Sequence, residues 1–535
     1  MTAIIADAIT DTLAKAGIES VFCVPGAHID ELCRSVAAHS ALRLVTCRTE
    51  QGSGMMALGH ARISNQVACC LTIPGPGLLS LAPVLATATA MSVPFLCVAG
   101  AIASPYDGLG LGLLHEAPPV LRHGDLLSGW HTLRPADVAA ERVNALLAAT
   151  IAAPHRPALL EVPIDVSVMD AGVQQSPARA EAPPRVHVDV DGAGKLLENS
   201  CRPLVVAGGG ARGAAREIVR LADRLNAPIV PTVNGRCPTL DHEERAFPPT
   251  ALRPLWEACD LVIAVGTRLA SIYGSGRHKA DPRPVIRIDA DPRRQLVPHR
   301  ATVGLTGDAA DITRSLLGLT SSPQAAGWDD DALGALRHAC TDALAAVPLQ
   351  AEYTRVLHDT LADDAVVTLD STQIAYHAMY ALPLRSGRIL PTAGMQGTLG
   401  SALPLAIGAK LAAPARQVAC VVGDGGFAFG LPELATMAKE RLGVTVIVFN
   451  DGAYGEVALA SRHAEAAGYS ELVNPDFVLL AESFGIAARR VSSPNQLSDV
   501  LRRELRQDRP LVVDVSIGPA SGLASIFNVG SYGRK

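Results

Sequence analysis

The segment Gly423-Asp424-Gly425-Gly426-Phe427 closes one apolar run, Gln417 to Val422, and Asn450-Asp451-Gly452-Ala453-Tyr454-Gly455 closes the next, Val444 to Phe449. Asp424 and Asp451 are 27 residues apart. Short apolar runs bounded by glycine-rich turns read as buried strands, and the interval between these two has room for one helix. A strand–helix–strand unit of that size sets successive strand ends side by side at the carboxyl edge of a parallel sheet, where open α/β sheets bind ligands. Two oxygen side chains at that edge, with a backbone carbonyl, suit a hard cation such as Mg²⁺, which takes its other oxygens from phosphate and water. Asp424 alone reads equally as an ordinary helix N-cap. Other segments decide between the two.

Three such segments accompany the clamp. Arg48-Thr49-Glu50-Gln51-Gly52 precedes Ala57-x-Gly59-His60-Ala61-Arg62; Gly394-Met395-Gln396-Gly397-Thr398-Leu399-Gly400 leads into Leu403-Pro404-Leu405-Ala406-Ile407-Gly408-Ala409-Lys410; and Val21-Phe22-Cys23-Val24-Pro25-Gly26-Ala27-His28 lies near the start. With Gly-Asp-Gly and the Asn-Asp pair, this ordered set resembles the signature of thiamine diphosphate (ThDP) enzymes. The likeness runs from about Ala3 to Val515 and is greatest to acetolactate synthase-like, benzaldehyde lyase-like and 2-oxo acid decarboxylase-like members.

The resemblance implies roles for particular residues. The metal ligands are Asp424, Asp451 and the carbonyl of Ala453, with Asp451 standing where the family commonly has Asn. Glu50 hydrogen-bonds N1′ of the aminopyrimidine. A carboxyl buried beside an apolar ring has a raised pKa and shuttles that proton near neutral pH. Thr49 replaces the usual His before it. The carbonyl of Gly397 accepts from the 4′-amino group, and Leu399 wedges between the two cofactor rings. Thr372 and Gln373, in the turn Asp370-Ser371-Thr372-Gln373, bind phosphate oxygens, and Gly426 and Phe427 add backbone N–H groups at a helix start. Gly423, Gly425, Tyr454 and Gly455 complete the cofactor contacts. The Gly-Ala-His form of the first loop resembles benzaldehyde lyase, which places His28 near the substrate. Leu114-His115-Glu116 aligns with Phe-Gln-Glu of acetolactate synthases. Pyruvate-type decarboxylases have a His-His pair near this point, and the segment holds one His. His28 and His115 are therefore the candidate proton relays. Glu456 either faces the substrate or serves as an N-terminal helix acid. Ala458 and Ala460 hint at a roomy pocket.

The rest of the chain is consistent with an α/β protein of three doubly wound parallel-sheet domains. Helix and buried strand alternate over 1–171, the expected pyrimidine-binding domain. Gly172 to Gly192 reads as a linker. A central Rossmann-like domain covers 193–320, and a diphosphate- and Mg-binding domain covers 340–535, after the polar stretch Thr320 to Asp331. Ile63 to Tyr106 has no Asp, Glu, Lys or Arg across 44 residues. Its prolines and glycines break it into pieces too short to span a membrane. It reads as a strand (Gln66 to Ile73), a helix (Leu78 to Ala90) and a strand (Val93 to Val98), buried on both faces as parallel strands are. The central domain carries Gly208-x-Gly210-x-x-Gly213 after the strand Pro203 to Ala207, but the next strand, Pro228 to Thr232, lacks the acid a dinucleotide fingerprint needs. NAD is not expected. Gly266 to Ser271 matches the FAD contact region of related enzymes only in part, so FAD is not expected either.

A net charge of −6 gives no reason to propose nucleic acid or acidic membranes as partners. Eleven cysteines without CxxC spacing, many inside apolar runs, fit reduced thiols in a cytoplasmic protein. From the resemblance, the expected activity is carboligation: decarboxylation of a 2-oxo acid, or use of an aldehyde donor, followed by C–C bond formation as in acetolactate synthases. The alternative is simple 2-oxo acid decarboxylation releasing an aldehyde. An alternative of another class is a nucleotide-binding regulatory protein using the central glycine loop. The family also implies a homodimer or homotetramer with active sites at subunit interfaces.

Overall fold

Three all-parallel sheets, each flanked by helices, make up the chain in the computed structural model. It describes residues 3–116, 120–121, 126–172, 190–241, 243–273, 283–297, 300–320, 327–384, 387–460, 468–519, 522–523 and 526. The first sheet has strands β1 (Ser20–Cys23), β2 (Arg43–Thr46), β3 (Ala68–Thr72), β4 (Phe95–Ala101), β5 (Gly129–Thr132) and β6 (Pro157–Pro163), in the order β2-β1-β3-β4-β6-β5. The second has β7 (Pro203–Ala207), β8 (Ile229–Pro231), β9 (Leu261–Val265), β10 (Val285–Asp289) and β11 (Val303–Thr306), in the order β11-β10-β9-β7-β8. The third has β12 (Val366–Leu369), β13 (Val418–Gly423), β14 (Val444–Asn450), β15 (Ala487–Val491) and β16 (Leu511–Ser516), in the order β12-β13-β14-β16-β15.

The strands look as their sequences require. β3, β7, β9 and β13 are buried at every residue, because helices cover both faces of each sheet. The charge-free stretch forms β3 and β4 with two helices between them, Pro76–Ser80 and Ala82–Met91, where one was expected. Pro83 ends the continuity: it lacks an N–H and is tolerated only in a first turn, so a new helix starts there. Among the described residues, no helix is long and apolar enough to cross a membrane. The expected linker lies mostly outside the described residues. The helix Asp330–Ala345 buries Leu333, Leu336 and Cys340 in the central core, and Trp328 just before it donates Nε1–H to the Pro203 carbonyl at 2.9 Å. The central core thus draws on chain beyond residue 320. All eleven cysteines are free thiols, and most are buried.

One apolar cluster serves two sheets. It joins Phe22, Cys70 and Cys97 of the first unit to Val422, Val446 and Val448 of the third, through the helices Glu50–Ser64 and Ala402–Ala412. These helices touch backbone to backbone. A Cβ on Gly59 would collide with the Leu405 carbonyl, and one on Gly408 with the Met56 carbonyl. Glycine at both positions is what allows the approach.

Candidate active site

Asp424 and Asp451 lie at the ends of adjoining strands. Register between β13 and β14 pairs Gly423 with Phe449, so Asp424 and Asn450 leave the sheet edge side by side. Asp424 is the first residue of the helix Asp424–Gly430 and is buried. Its carboxylate accepts the N–H groups of Gly425 and Gly452, and Nδ2–H of Asn474 at 2.6 Å. Asp451 accepts the N–H of Ala453. Burial, and then the neighbouring Asp424 charge, raise the pKa of Asp451; burial raises that of Asp424. Asn450 turns away, donating to Asp514 at 3.2 Å and accepting from Asn474 at 3.2 Å. The neighbouring carboxylates therefore come from Asp424 and Asp451. Glycines keep the site open: a Cβ on Gly455 would lie 2.6 Å from Oδ2 of Asp451, and one on Gly425 2.5 Å from the Tyr454 ring, which packs on that turn. Two carboxylates whose burial raises their proton affinity, with the Asp424 charge adding to the rise at Asp451, fit a divalent cation beside a backbone turn.

The turn after β12 borders the clamp. Asp370 is buried and accepts the N–H groups of Ser371 at 2.8 Å, Ala402 at 2.9 Å and Gly400 at 3.3 Å; burial raises its pKa. It ties the Thr372 turn to the loop holding Gly397 and Leu399. Gly397 is left-handed with φ 64°, Leu399 is partly buried, and Thr398 Oγ1 meets Thr87 Oγ1 of the first unit at 2.9 Å. Gly426 and Phe427 occupy the first turn of the clamp helix, and Thr372 lies against Gly423. The Gln373 side chain has partners of its own within the fold. Its amide oxygen accepts from Gln350 at 3.3 Å, and its NH₂ donates to Glu456 Oε1.

Glu50 opens the helix Glu50–Ser64 and is partly buried. Thr49, where the family has His, is the N-cap: its hydroxyl accepts from the Gly52 N–H at 3.0 Å. A Cβ on Gly77 would lie 3.1 Å from Glu50 Oε1 and 2.7 Å from Thr72 Oγ1, so that glycine leaves the carboxyl a cradle. Sequence reasoning missed Glu433. This buried carboxylate, three residues past the clamp helix, accepts the N–H groups of Arg48 at 3.3 Å and Thr49 at 3.0 Å, the Thr49 hydroxyl at 2.9 Å and the Thr436 hydroxyl at 2.6 Å. A Cβ on Gly52 would clash with it. Asn474 was missed as well; lone Asn and Glu residues in polar stretches carry no local signal.

His28 and His115 come together. Their Nδ1 atoms are 3.3 Å apart and their ring centroids 5.1 Å. The segment around His115 supplies one His, and the loop after β1 supplies the other. The strand order makes this possible: β1, β3 and β4 are consecutive in the sheet, so the loops bearing His28, Gly75–Gly77 and His115 share one edge, with Glu50 after the adjoining β2. His115 has φ 64°, and a Cβ on Gly75 would meet its carbonyl. Burial, then the His115 charge, lower the pKa of His28.

The central glycine loop is explained without a ligand. Gly208 donates its N–H to Val265 at 2.8 Å, and a Cβ there would strike the Gly266 carbonyl; Gly210 donates to the same carbonyl at 3.2 Å. Close backbone packing accounts for both glycines, so the loop does not single out a nucleotide-binding regulator.

Comparison with known proteins agrees with this geometry. Residues 4–123 match the family model described as the thiamine pyrophosphate enzyme N-terminal TPP binding domain, 190–316 the central domain, and 370–515 the C-terminal TPP binding domain. The chain is 35% identical to the probable 2-ketoarginine decarboxylase AruI of Pseudomonas aeruginosa, over 93% of this chain and 90% of that protein. It is 27% identical to a probable acetolactate synthase large subunit of Methanocaldococcus jannaschii, over 97% and 93% of the two chains. It is 28% identical to the acetolactate synthase isozyme 2 large subunit of Escherichia coli, over 95% and 94%.

Proposed function

This chain belongs to the thiamine diphosphate enzyme family, and from that premise we propose that it decarboxylates a 2-oxo acid with ThDP and Mg²⁺, returning a proton to the product through His28 and His115. The observation carrying this reading is the 3.3 Å approach of the two imidazoles. It supplies a His pair that the local sequence lacked, and on it we rank simple decarboxylation first. The relative named a probable 2-ketoarginine decarboxylase supports the same order.

When bound, ThDP supplies the electron sink for the carbanion left by loss of CO₂. Asp424, Asp451 and the Ala453 carbonyl would hold Mg²⁺ and through it the diphosphate. The N–H groups of Gly426 and Phe427 and the Thr372 turn would meet phosphate oxygens. Gly397 and Leu399 would shape the cofactor's bend, and Glu50 would hold the proton at N1′. A second charge on the His pair is disfavoured, since two like charges about 4 Å apart near a protein surface cost roughly 4 kcal/mol. The 3.3 Å approach of their Nδ1 atoms suits the two rings to relaying a proton to the product.

Carboligation is the second reading, favoured by the relatives named acetolactate synthases. It differs only in whether the carbanion takes a proton or a second carbonyl. Incubation with ThDP, Mg²⁺ and a panel of 2-oxo acids, with and without an acceptor aldehyde, separates the two. Free aldehyde in both cases supports decarboxylation, and a C–C coupled product supports carboligation. Calorimetry showing no ThDP binding in the presence of Mg²⁺ would sink both. The working unit is proposed to be at least a dimer, each site joining the pyrimidine end of one subunit to the diphosphate end of another. Exposed Leu109, Leu111 and Leu114 beside the His115 loop, and Phe429, Val457 and Leu459 beside the clamp, support burial against a second copy.

A further inference from the structure

The helix Gly455–Ala460 starts two residues after the Ala453 carbonyl, and its second residue, Glu456, turns toward the helix Gln373–Ala381 that follows the Thr372 turn. Glu456 is partly buried, and that burial raises its pKa. Its Oε1 accepts from the Gln373 amide, whose own oxygen is fixed by the fully buried Gln350. Among the described residues no Lys, Arg or His forms an ion pair with it. A half-buried carboxylate held in place by a two-amide chain, and without an ion-pair partner among the described residues, is costly unless something else supplies the charge. It lies three residues past Ala453, in the helix that follows the clamp, and against the helix that follows the Thr372 turn.

We propose that Glu456 is a specificity residue that recognises a cationic end, guanidinium or ammonium, on the side chain of the 2-oxo acid. The inference rests on the decarboxylase reading above and narrows its substrate class. Gln373 and Gln350 are positioning residues: they leave Oε2 of Glu456 for the cation. Sites built around a polar substrate group reject analogues that lack it far more strongly than apolar pockets reject an extra methylene. Without a cation the carboxylate must be buried unpaired or protonated.

The test compares 2-oxo-5-guanidinopentanoate with neutral 2-oxohexanoate on the ThDP- and Mg²⁺-loaded enzyme. Wild type should favour the guanidino acid by at least tenfold in kcat/KM, and Glu456→Gln should lower that ratio at least tenfold, mainly through KM. The proposal is overturned if wild type shows no such preference, or if Glu456→Gln slows both acids by the same factor, which is what a structural or proton-donating role gives. If no 2-oxo acid releases CO₂, the decarboxylase reading fails on its own. Calorimetric titration of 5-guanidinopentanoate and hexanoate into the loaded enzyme then decides the recognition question without turnover. A guanidino preference that Glu456→Gln removes upholds it, and equal binding of the two acids overturns it.

Discussion

Glu433 accepts the backbone N–H of Thr49 at 3.0 Å, and Thr49 is the residue immediately before Glu50. A carboxylate that follows the clamp helix in the third unit thus caps the helix that presents Glu50 from the first. Because Glu433 ends the chain segment that begins at Asp424, the two halves of the cofactor machinery within one subunit are mechanically joined. Replacing Glu433 with Gln removes the charge and part of its acceptor capacity while keeping its size. Hydrogen bonds to charged groups are worth about 1.5–3 kcal/mol each, with only part of that lost in the amide. Glu433→Gln should lower stability by roughly 1–3 kcal/mol in chemical denaturation, and should reduce kcat more than KM by displacing Glu50. Gly52→Ala should give the same phenotype from the other side, since its Cβ would collide with the Glu433 carboxylate. Normal kcat in both variants would show that the cap does not position Glu50.

Asp451, the second carboxylate of the proposed clamp, stands where the resemblance leads one to expect Asn. Its carboxylate lies close enough to Asp424 for that charge to raise its proton affinity. Asp451→Asn removes a repulsion from the metal-free protein and a charge from the metal-bound one. Without Mg²⁺ the variant should melt slightly higher, by up to about 1 kcal/mol of stability. Its affinity for Mg²⁺ should fall by about tenfold, corresponding to 1.4 kcal/mol. Asn474→Ala, which deletes the 2.6 Å donor to Asp424, should also weaken Mg²⁺ binding by loosening that ligand. Calorimetric titration of Mg²⁺ with ThDP present measures both. Unchanged affinity in Asp451→Asn would mean that Asp451 is not a ligand.

Three histidines set a common sign for acid sensitivity. Burial lowers the pKa of His28, His60 and His377 below the ordinary value near 6.5. His377 has Nδ1 facing the Thr354 hydroxyl at 2.8 Å and Nε2 facing the Leu344 carbonyl at 3.0 Å, and burial lowers its pKa against the opposing pull of that carbonyl. Through these three rings the folded protein binds fewer protons than the unfolded chain just below pH 6.5. Stability contributed by keeping these rings neutral is present above the unfolded pKa and is lost as pH falls through the lower folded values. Denaturation midpoints should hold between pH 7 and 8 and decline below about 6.5. His377→Gln should flatten part of that decline. A midpoint that rises on acidification through this range would contradict the sign.

The parts legible in the sequence were those whose signal is local. β7 was read with its boundaries, and β13 and β14 to within one residue, because apolar strands stop at glycine or acid turns. The Asp424–Asp451 spacing is one crossover long, so the topology follows from the interval. What escaped was long-range. The Glu433 contact joins residues 384 apart in sequence, and His28 meets His115 across 87. In the chain Glu433 looks like any helix acid. The second imidazole of the pair was sought next to the first, although the strand order delivers it from another loop. Gln373 was read as a phosphate contact, with nothing in the sequence to say what its side chain meets. Only packing reveals that Gln350 and Glu456 occupy it.

The contact between Gly59 and Gly408 carries the last prediction. Each glycine sits where a Cβ would run into a backbone carbonyl of the facing helix, Leu405 for one and Met56 for the other. Backbone cannot step aside as a side chain does, so alanine at either place must push the helices Glu50–Ser64 and Ala402–Ala412 apart. Overpacking of this kind costs about 1–3 kcal/mol, partly offset by up to about 1 kcal/mol from alanine's better helix propensity. Because both alanines relieve strain by the same separation, the double variant should cost less than the sum of the singles. The same movement should shift Glu50 at the start of one helix and the Gly397–Leu399 loop just before the other. Each variant should therefore lose ThDP affinity along with stability, read by denaturation and calorimetry on the same samples. Additive losses, or full ThDP affinity in a destabilised Gly408→Ala, would show that this helix pair supports the core without setting the geometry of the site.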